Sequence, residues 1–333
     1  MTRRSSGSRK RPTHVMTSPY PHRATVARMS MHEGQLTVSR QTVRSLIAEQ
    51  FPQWRHLTLQ WLPNAATVNT IFRLGDELTV RFPLVLQVPE LVRVALQAEA
   101  GASSEFAAIS PLPAPEPMGL GEPGHGYPLP WSVQTWVPGH DATIQDPADS
   151  LDFANDLAEL LGALRRANTQ GRRFAGEGRG GHLPDHDEWM AVCFSKSEGF
   201  LDVPRLRRVW GELRDLPEVD PDVMTHGDLT PPNVLVDYAH LVGVLDTGGF
   251  AAADPALDLV SVWHLLNEPG RDRVRERLGC TDVQWLRGMA WAFQQAMGLV
   301  WYYEDTNAVM SRWGRRSLER LLESSEMGNA QSG

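Results

Sequence analysis

Cysteine is nearly absent: Cys193 and Cys280 are the two in 333 residues, far apart and without paired spacing. This excludes a disulfide-stapled scaffold and the CxxC sites of zinc or thiol chemistry, and leaves two thiols expected to be buried. No run approaches the roughly 18 uncharged apolar residues of a membrane-spanning helix, and no apolar segment follows the basic start as in a secretory leader. The expectation is a cytoplasmic protein without a membrane partner. Acidic residues are missing from the first 28 positions, which hold seven arginines and lysines. This opening has too little apolar content to offset its ordering entropy, so 1–30 reads as a disordered basic tail and 326–333 as a short disordered end. The rest carries 25 basic against 40 acidic residues, a balance that argues against nucleic acid and suits a cationic partner. GxxxxGK[ST] and HExxH do not occur, and no GxGxxG follows a strand.

With 41% hydrophobic and 22% charged residues, the chain has ample material for a core, and its length points to one bilobal unit or two domains. The run from about Leu57 to Phe82 reads as strands, with a Gly75-Asp76-Glu77 turn closing a hairpin. Apolar residues at helical spacing place a helix from about Glu90 to Ile109. "SPLPAPEPMGLGEPGHGYPLP" carries so many prolines and glycines that an extended connector without regular structure is expected. "WSVQTWVPG" then reads as one strand ending in a Pro138-Gly139 turn. An N-lobe of 31–138 thus precedes a mainly helical C-lobe of 139–325, whose first helix is expected to use Asp146 as its cap and Pro147 in its first turn. "GEGRGG" lies between helices and reads as flexible linker. "NVLVD" and "LVGVLD" are short β-like runs, and a last helical block extends from about Thr281 to Ser324.

Trp189, Trp210, Trp263, Trp285 and Trp291 sit within helical patterns and read as core. Trp301-Tyr302-Tyr303-Glu304-Asp305 reads either as helix packing, which is favoured, or as an aromatic and acidic wall of a pocket.

The chemistry concentrates between His226 and Asp258. Asp228 is followed five residues later by Asn233, and Asp246 ends an apolar strand before Thr247-Gly248. These three converge if "NVLVD" and "LVGVLD" pair as a hairpin. Such a trio suits metal-assisted phosphoryl transfer: Asn233 and Asp246 supply hard oxygens for Mg²⁺, and Asp228 accepts the proton of an attacking hydroxyl. Asp and Asn in turns also cap backbone groups, which is the alternative for any one of them. A metal-dependent hydrolase could use the same carboxylates without an acceptor.

"HGDLTPPNVLVD", "GVLDTGG" and "DPALDL" resemble the aminoglycoside phosphotransferase family, whose catalytic lobe is shared with choline kinases and more distantly with protein kinases. "TVNTIFRLGDELTVRFP" is similar to its nucleotide-loop hairpin and "YPLPWSVQTWVPG" to its hinge strand. The resemblance implies an α+β, bilobal protein-kinase-like fold with a small β-rich N-lobe and a larger helical C-lobe. It implies Asp228 as catalytic base, His226 as support of the catalytic loop, Asn233 and Asp246 as Mg²⁺ ligands, and Asp254 and Asp258 as structural. For the nucleotide, ATP or GTP, it implies Arg81, Glu99, Thr67, Asn69 and the hinge residues Gln134, Trp136 and Val137. Three features depart from the family pattern. Arg81 stands where a lysine is usual, with Glu99 as its expected partner; the "LPNAATVNT" loop lacks glycines; and Asp246-Thr247-Gly248 lacks the usual aromatic.

The implied activity is transfer of the γ-phosphoryl group to a hydroxyl of a small molecule, an antibiotic of aminoglycoside or macrolide type being the leading acceptor. A metabolite kinase of the same fold, or a nucleotide-binding pseudokinase scaffold, is the alternative.

Overall fold

The computed structural model describes residues 36–62, 69–176, 178–219 and 221–324. The two expected tails and Thr67 lie outside the described residues.

Helix α1 (Arg40–Gln50) starts where the Ser39 hydroxyl accepts the Thr42 N–H at 3.0 Å, and it buries Val43, Leu46 and Ile47. Strands β1 (Leu59–Leu62), β2 (Asn69–Leu74) and β3 (Leu78–Pro83) follow as an antiparallel meander. Gly75, at φ +60°, supplies the left-handed residue of the β2–β3 turn. Helix α2 (Pro89–Ile109) has a proline in its first turn, where a missing N–H does no harm. Strands β4 (Pro117–Gly121) and β5 (Trp131–Thr135) complete a five-stranded sheet in the order β1-β2-β3-β5-β4.

Strand β4 corrects the expectation of an irregular connector. It lies at the sheet edge, where Pro117 has one neighbour to satisfy rather than two. Its glycines are required by packing: a Cβ on Gly121 would fall 2.1 Å from the Trp131 ring, and one on Gly119 would fall 2.7 Å from Phe51. Phe72, Phe82 and Trp131 centre the buried cluster of this lobe.

After strand β6 (His140–Asp141), helix α3 (Leu151–Arg166) begins four residues later than the sequence suggested. Ser150 is its cap, its hydroxyl accepting the Phe153 N–H at 3.0 Å, whereas Asp146 accepts the Ala148 N–H and pairs with Arg316. Pro147 fits the preceding turn, so the first regular hydrogen bonds wait for Ser150.

Helices α4 (Asp187–Lys196) and α5 (Val203–Leu213) lead to strand β7 (Val223–Thr225). Strands β8 (Val234–Asp237) and β9 (His240–Val244) pair antiparallel, Val234 opposite Val244, and β10 (Ala251–Ala253) pairs with β7. Helices α6 (Val260–Leu265), α7 (Glu268–Leu278), α8 (Asp282–Tyr302) and α9 (Ala308–Leu322) complete the second lobe. The last helical block is thus two helices, broken between Tyr303 and Asn307, where Asn307 caps α9.

Trp210, Trp263, Trp285 and Trp291 are buried in the larger core, with Trp189 half-buried against it. Cys193 is buried, and burial pushes its thiol up to about 12; Cys280 is half-buried. Among the described residues no helix is long and apolar enough to cross a membrane.

Candidate active site

Beyond β7 the chain turns through His226, Gly227 and Asp228, with Gly227 at φ +79°, a conformation that disfavours a side chain. Both oxygens of Asp258 hold this turn: Oδ2 accepts the His226 N–H and Oδ1 the Gly227 N–H, each at 2.8 Å. The His226 ring works from the other side. Its Nδ1 accepts the Asp228 N–H at 3.2 Å, so the proton sits on Nε2, which donates to Leu245 O at 2.9 Å. Burial lowers the His226 pKa and keeps the ring neutral; burial likewise pushes the Asp258 carboxyl up, opposed by His226 and by the two N–H groups. His226 therefore ties the loop bearing Asp228 to the strand end bearing Asp246.

Three more bonds tighten this junction. The Asp228 carbonyl accepts from the Thr230 N–H at 2.8 Å and from the Asn233 amide nitrogen at 3.0 Å, and Leu245 N–H donates to Asn233 O at 2.8 Å. Asp228, Asn233 and Asp246 thus gather at one end of the β8–β9 hairpin. Asp246 is in the left-handed region, φ +58°, and opens the short turn Thr247–Gly249 with its side chain more than half exposed. A non-glycine residue held there is strained, and such strain concentrates at functional sites. With its amide nitrogen engaged, Asn233 has its amide oxygen to offer at the same end of the β8–β9 hairpin as Asp246. Two hard oxygens of this kind fit Mg²⁺ rather than a thiophilic metal.

The β-sheet lobe meets this junction through Arg81 on β3. Its guanidinium lies 3.5 Å from Asp246 Oδ1 and donates to Gln134 Oε1 on β5 at 3.4 Å. Among the described residues no ion pair joins Arg81 to Glu99. Glu99 instead packs from α2 over Gly248, where a Cβ would fall 3.0 Å from its Cβ. Burial raises the Glu99 pKa, Arg81 lowers it and Asp246 raises it further. Trp136 donates its backbone N–H to Glu77 O at 2.7 Å, and its ring lies under the Arg73 guanidinium, 4.8 Å from the ring centre. Val137 is buried against Gly243, and Asn69 opens β2 opposite Pro83.

Asp254 lies away from this junction. It is buried with Arg287, accepting from Arg287 Nε at 2.9 Å, Trp291 Nε1 at 3.0 Å and Ala256 N–H at 2.8 Å. The Trp301–Asp305 segment ends α8; Trp301 packs on Trp189 at 5.8 Å and donates to the Cys193 sulfur at 3.2 Å.

One residue at the site escaped sequence reasoning. Arg179, in the run read as linker, forms an ion pair with Asp228 through its Nη1 and Oδ1. An arginine among glycines is the one signal the sequence carries, and it does not say where the side chain points.

The model of the phosphotransferase enzyme family matches residues 58–291. An aminoglycoside 3'-phosphotransferase of Escherichia coli is 38% identical over 64 residues, which are 19% of this chain and 24% of that protein. The chain thus spans about a quarter of the length of the curated relatives it matches. The solved GDP complex of wild-type aminoglycoside 2'-phosphotransferase-IIIa superposes with a TM-score of 0.61 at 17% identity, over 88% of this chain and 100% of that one. A macrolide 2'-phosphotransferase from Brachybacterium faecium, solved as the apoenzyme, gives 0.55 at 17% identity, over 83% and 97%. Likeness at this identity establishes the fold: a β-sheet lobe and a helical lobe in the arrangement of these kinases.

Proposed function

The chain belongs to the phosphotransferase enzyme family, and we propose that it moves the γ-phosphoryl group of ATP or GTP to a hydroxyl of a small-molecule antibiotic of aminoglycoside or macrolide type, inactivating it. The observation that supports this most is the junction in which His226 and Asp258 hold Asp228 beside Asn233 and Asp246. Asp228 takes the proton of the acceptor hydroxyl as that oxygen bonds to the γ-phosphorus. The bond from phosphorus to the bridging oxygen breaks, and ADP or GDP leaves with the negative charge.

Asp246 and the Asn233 amide oxygen would hold Mg²⁺, which neutralises charge on the donor phosphates when bound. Arg81 turns its fork from Asp246 toward the phosphates, with Glu99 behind the Asp246 turn. Gln134, Trp136 and Val137 line the nucleobase end, and Asn69, which opens β2, serves the phosphate side. His226 and Asp258 keep the loop in place, and Asp254 ties the following segment to α8 through Arg287 and Trp291. A donor of this kind sets the reaction in the cytoplasm. The relatives' names, an aminoglycoside and a macrolide phosphotransferase, support an antibiotic acceptor.

The test is mass-spectrometric detection of phosphoryl transfer, with Mg²⁺, ATP and GTP and a panel of aminoglycosides, macrolides and amino alcohols. Asp228→Asn is expected to bind nucleotide within about threefold of the parent and to lose transfer by a factor on the order of 10² to 10⁴. Near-normal transfer by that variant would remove Asp228 from the role of base. Phosphorylation of amino alcohols alone would move the acceptor to a metabolite.

A further inference from the structure

Arg179 reaches Asp228 from a loop whose construction serves that one side chain. Gly178, Gly180 and Gly181 have φ of +79°, +127° and +81°, so Arg179 is flanked on both sides by residues in conformations that favour glycine. The loop is nonetheless anchored. Gly180 O pairs with His186 Nε2 at 3.0 Å, and His186 stands edge-on to Trp291 at 5.1 Å. The Phe174 N–H donates to Asp222 Oδ2 at 2.8 Å, and a Cβ on either Gly180 or Gly181 would fall 2.9 Å from the Phe174 ring. A merely flexible linker needs neither anchors nor this run of left-handed residues.

Stability does not account for the contact. The side chains of Arg179 and Asp228 are 34% and 32% exposed, whereas those of Arg287 and Asp254 are 2% and 6% exposed. A solvent-screened pair contributes little to folding, while a buried one is costly to break. Loss of the Arg287–Asp254 pair would thus be felt by the fold, whereas the Arg179–Asp228 pair calls for another account.

We propose that Arg179 is a positioning residue for Asp228, holding Oδ1 of the carboxylate so that Oδ2 faces the acceptor hydroxyl. The proposal rests on Asp228 being the proton acceptor. Among the described residues Oδ1 is occupied by Arg179, the Asp228 carbonyl by Thr230 and Asn233, and the Asp228 N–H by His226, so Oδ2 is the polar atom of the residue left for chemistry.

The experiment uses the full chain with Mg²⁺ and nucleotide. It follows transfer to an acceptor from the panel and, independently of any acceptor, hydrolysis of the nucleotide with water in its place. Arg179→Ala is expected to lower kcat about 10- to 100-fold while the nucleotide KM stays within about threefold, and Arg179→Lys is expected to restore most of the loss. Combined with Asp228→Asn, Arg179→Ala is expected to add no further loss, because it acts through that carboxylate.

Unchanged or increased kcat in Arg179→Ala, or a loss that multiplies with that of Asp228→Asn, would overturn the proposal while leaving the base intact. Full activity in Asp228→Asn alone would overturn the base assignment and the proposal with it. Folding is checked by the thermal midpoints, which are expected to agree among the Arg179 variants.

Discussion

Asp258→Asn changes one atom type at the point where the catalytic loop is tied down. His226 N–H reaches Oδ2 and Gly227 N–H reaches Oδ1, each at 2.8 Å, so an amide leaves one of these donors facing its own NH₂. Two effects oppose one another. Burial pushes the Asp258 carboxyl up, and a neutral side chain relieves part of that penalty. Against this, a hydrogen bond to a charged group, about 1.5–3 kcal/mol, is lost, and a buried N–H left unpaired costs about 1–3 kcal/mol more. The second effect is larger, and a net loss on the order of 2 kcal/mol is expected. The rate suffers as well, because Gly227 leads directly into Asp228 and a displacement near 1 Å at a reacting group lowers turnover about 100-fold. Urea unfolding reads the stability from a lower midpoint at unchanged slope, and steady-state transfer reads the rate with nucleotide affinity as control. A variant as stable and active as the parent would refute the bonding argument. One that loses stability yet keeps its turnover would refute the link from Asp258 to the position of Asp228.

Arg287→Met strands the buried Asp254 carboxylate with Trp291 and Ala256 as its remaining partners, and should destabilise by about 3–5 kcal/mol in urea unfolding. Adding Asp254→Leu should recover much of that loss, and no recovery would contradict the reading of an unpaired charge. Stability should also fall with acid. His264 is fully buried and its pKa is lowered to about 4 by desolvation, so the unfolded chain takes up the proton first. His226 is shifted in the same direction. The stability from His264 is complete above about pH 6.5 and is lost as pH falls toward 4, a change of about 3 kcal/mol. Unfolding midpoints that stay level between pH 7 and pH 4.5 would show that His264 is not held neutral.

The sequence was most informative where chemistry and chain neighbourhood coincide. His226, Asp228, Asn233 and Asp246 lie within 21 residues, and their mutual bonds run through one turn and one hairpin, so spacing anticipates the arrangement. Asp258 joins the same group from the next turn. Three features were out of reach for a common reason. Strand β4 exists because Trp131 and Phe51 need the space that Gly121 and Gly119 leave, and a composition rule sees in those glycines and in Pro117 the absence of structure. The start of α3 is set by a hydroxyl four residues beyond the first plausible cap. Arg179 meets Asp228 across 49 residues, and no local pattern encodes where a glycine-flanked side chain is aimed.

The substitution at position 81 is best understood from its two partners. A lysine would bring one compact ammonium to β3, able to sit close to a single carboxylate. The arginine fork reaches two elements at once, Gln134 Oε1 on β5 at 3.4 Å and Asp246 Oδ1 at the turn after β9 at 3.5 Å. Both separations are long for charge-assisted contacts, and the guanidinium is thus held loosely between β5 and the turn that follows β9. On the proposed function, that placement leaves it free to exchange Asp246 for a phosphate oxygen, with Gln134 as the pivot. The arginine at position 81 therefore preserves the positive charge while tying the sheet to the Asp246 turn through a planar fork whose two terminal nitrogens address the two partners separately.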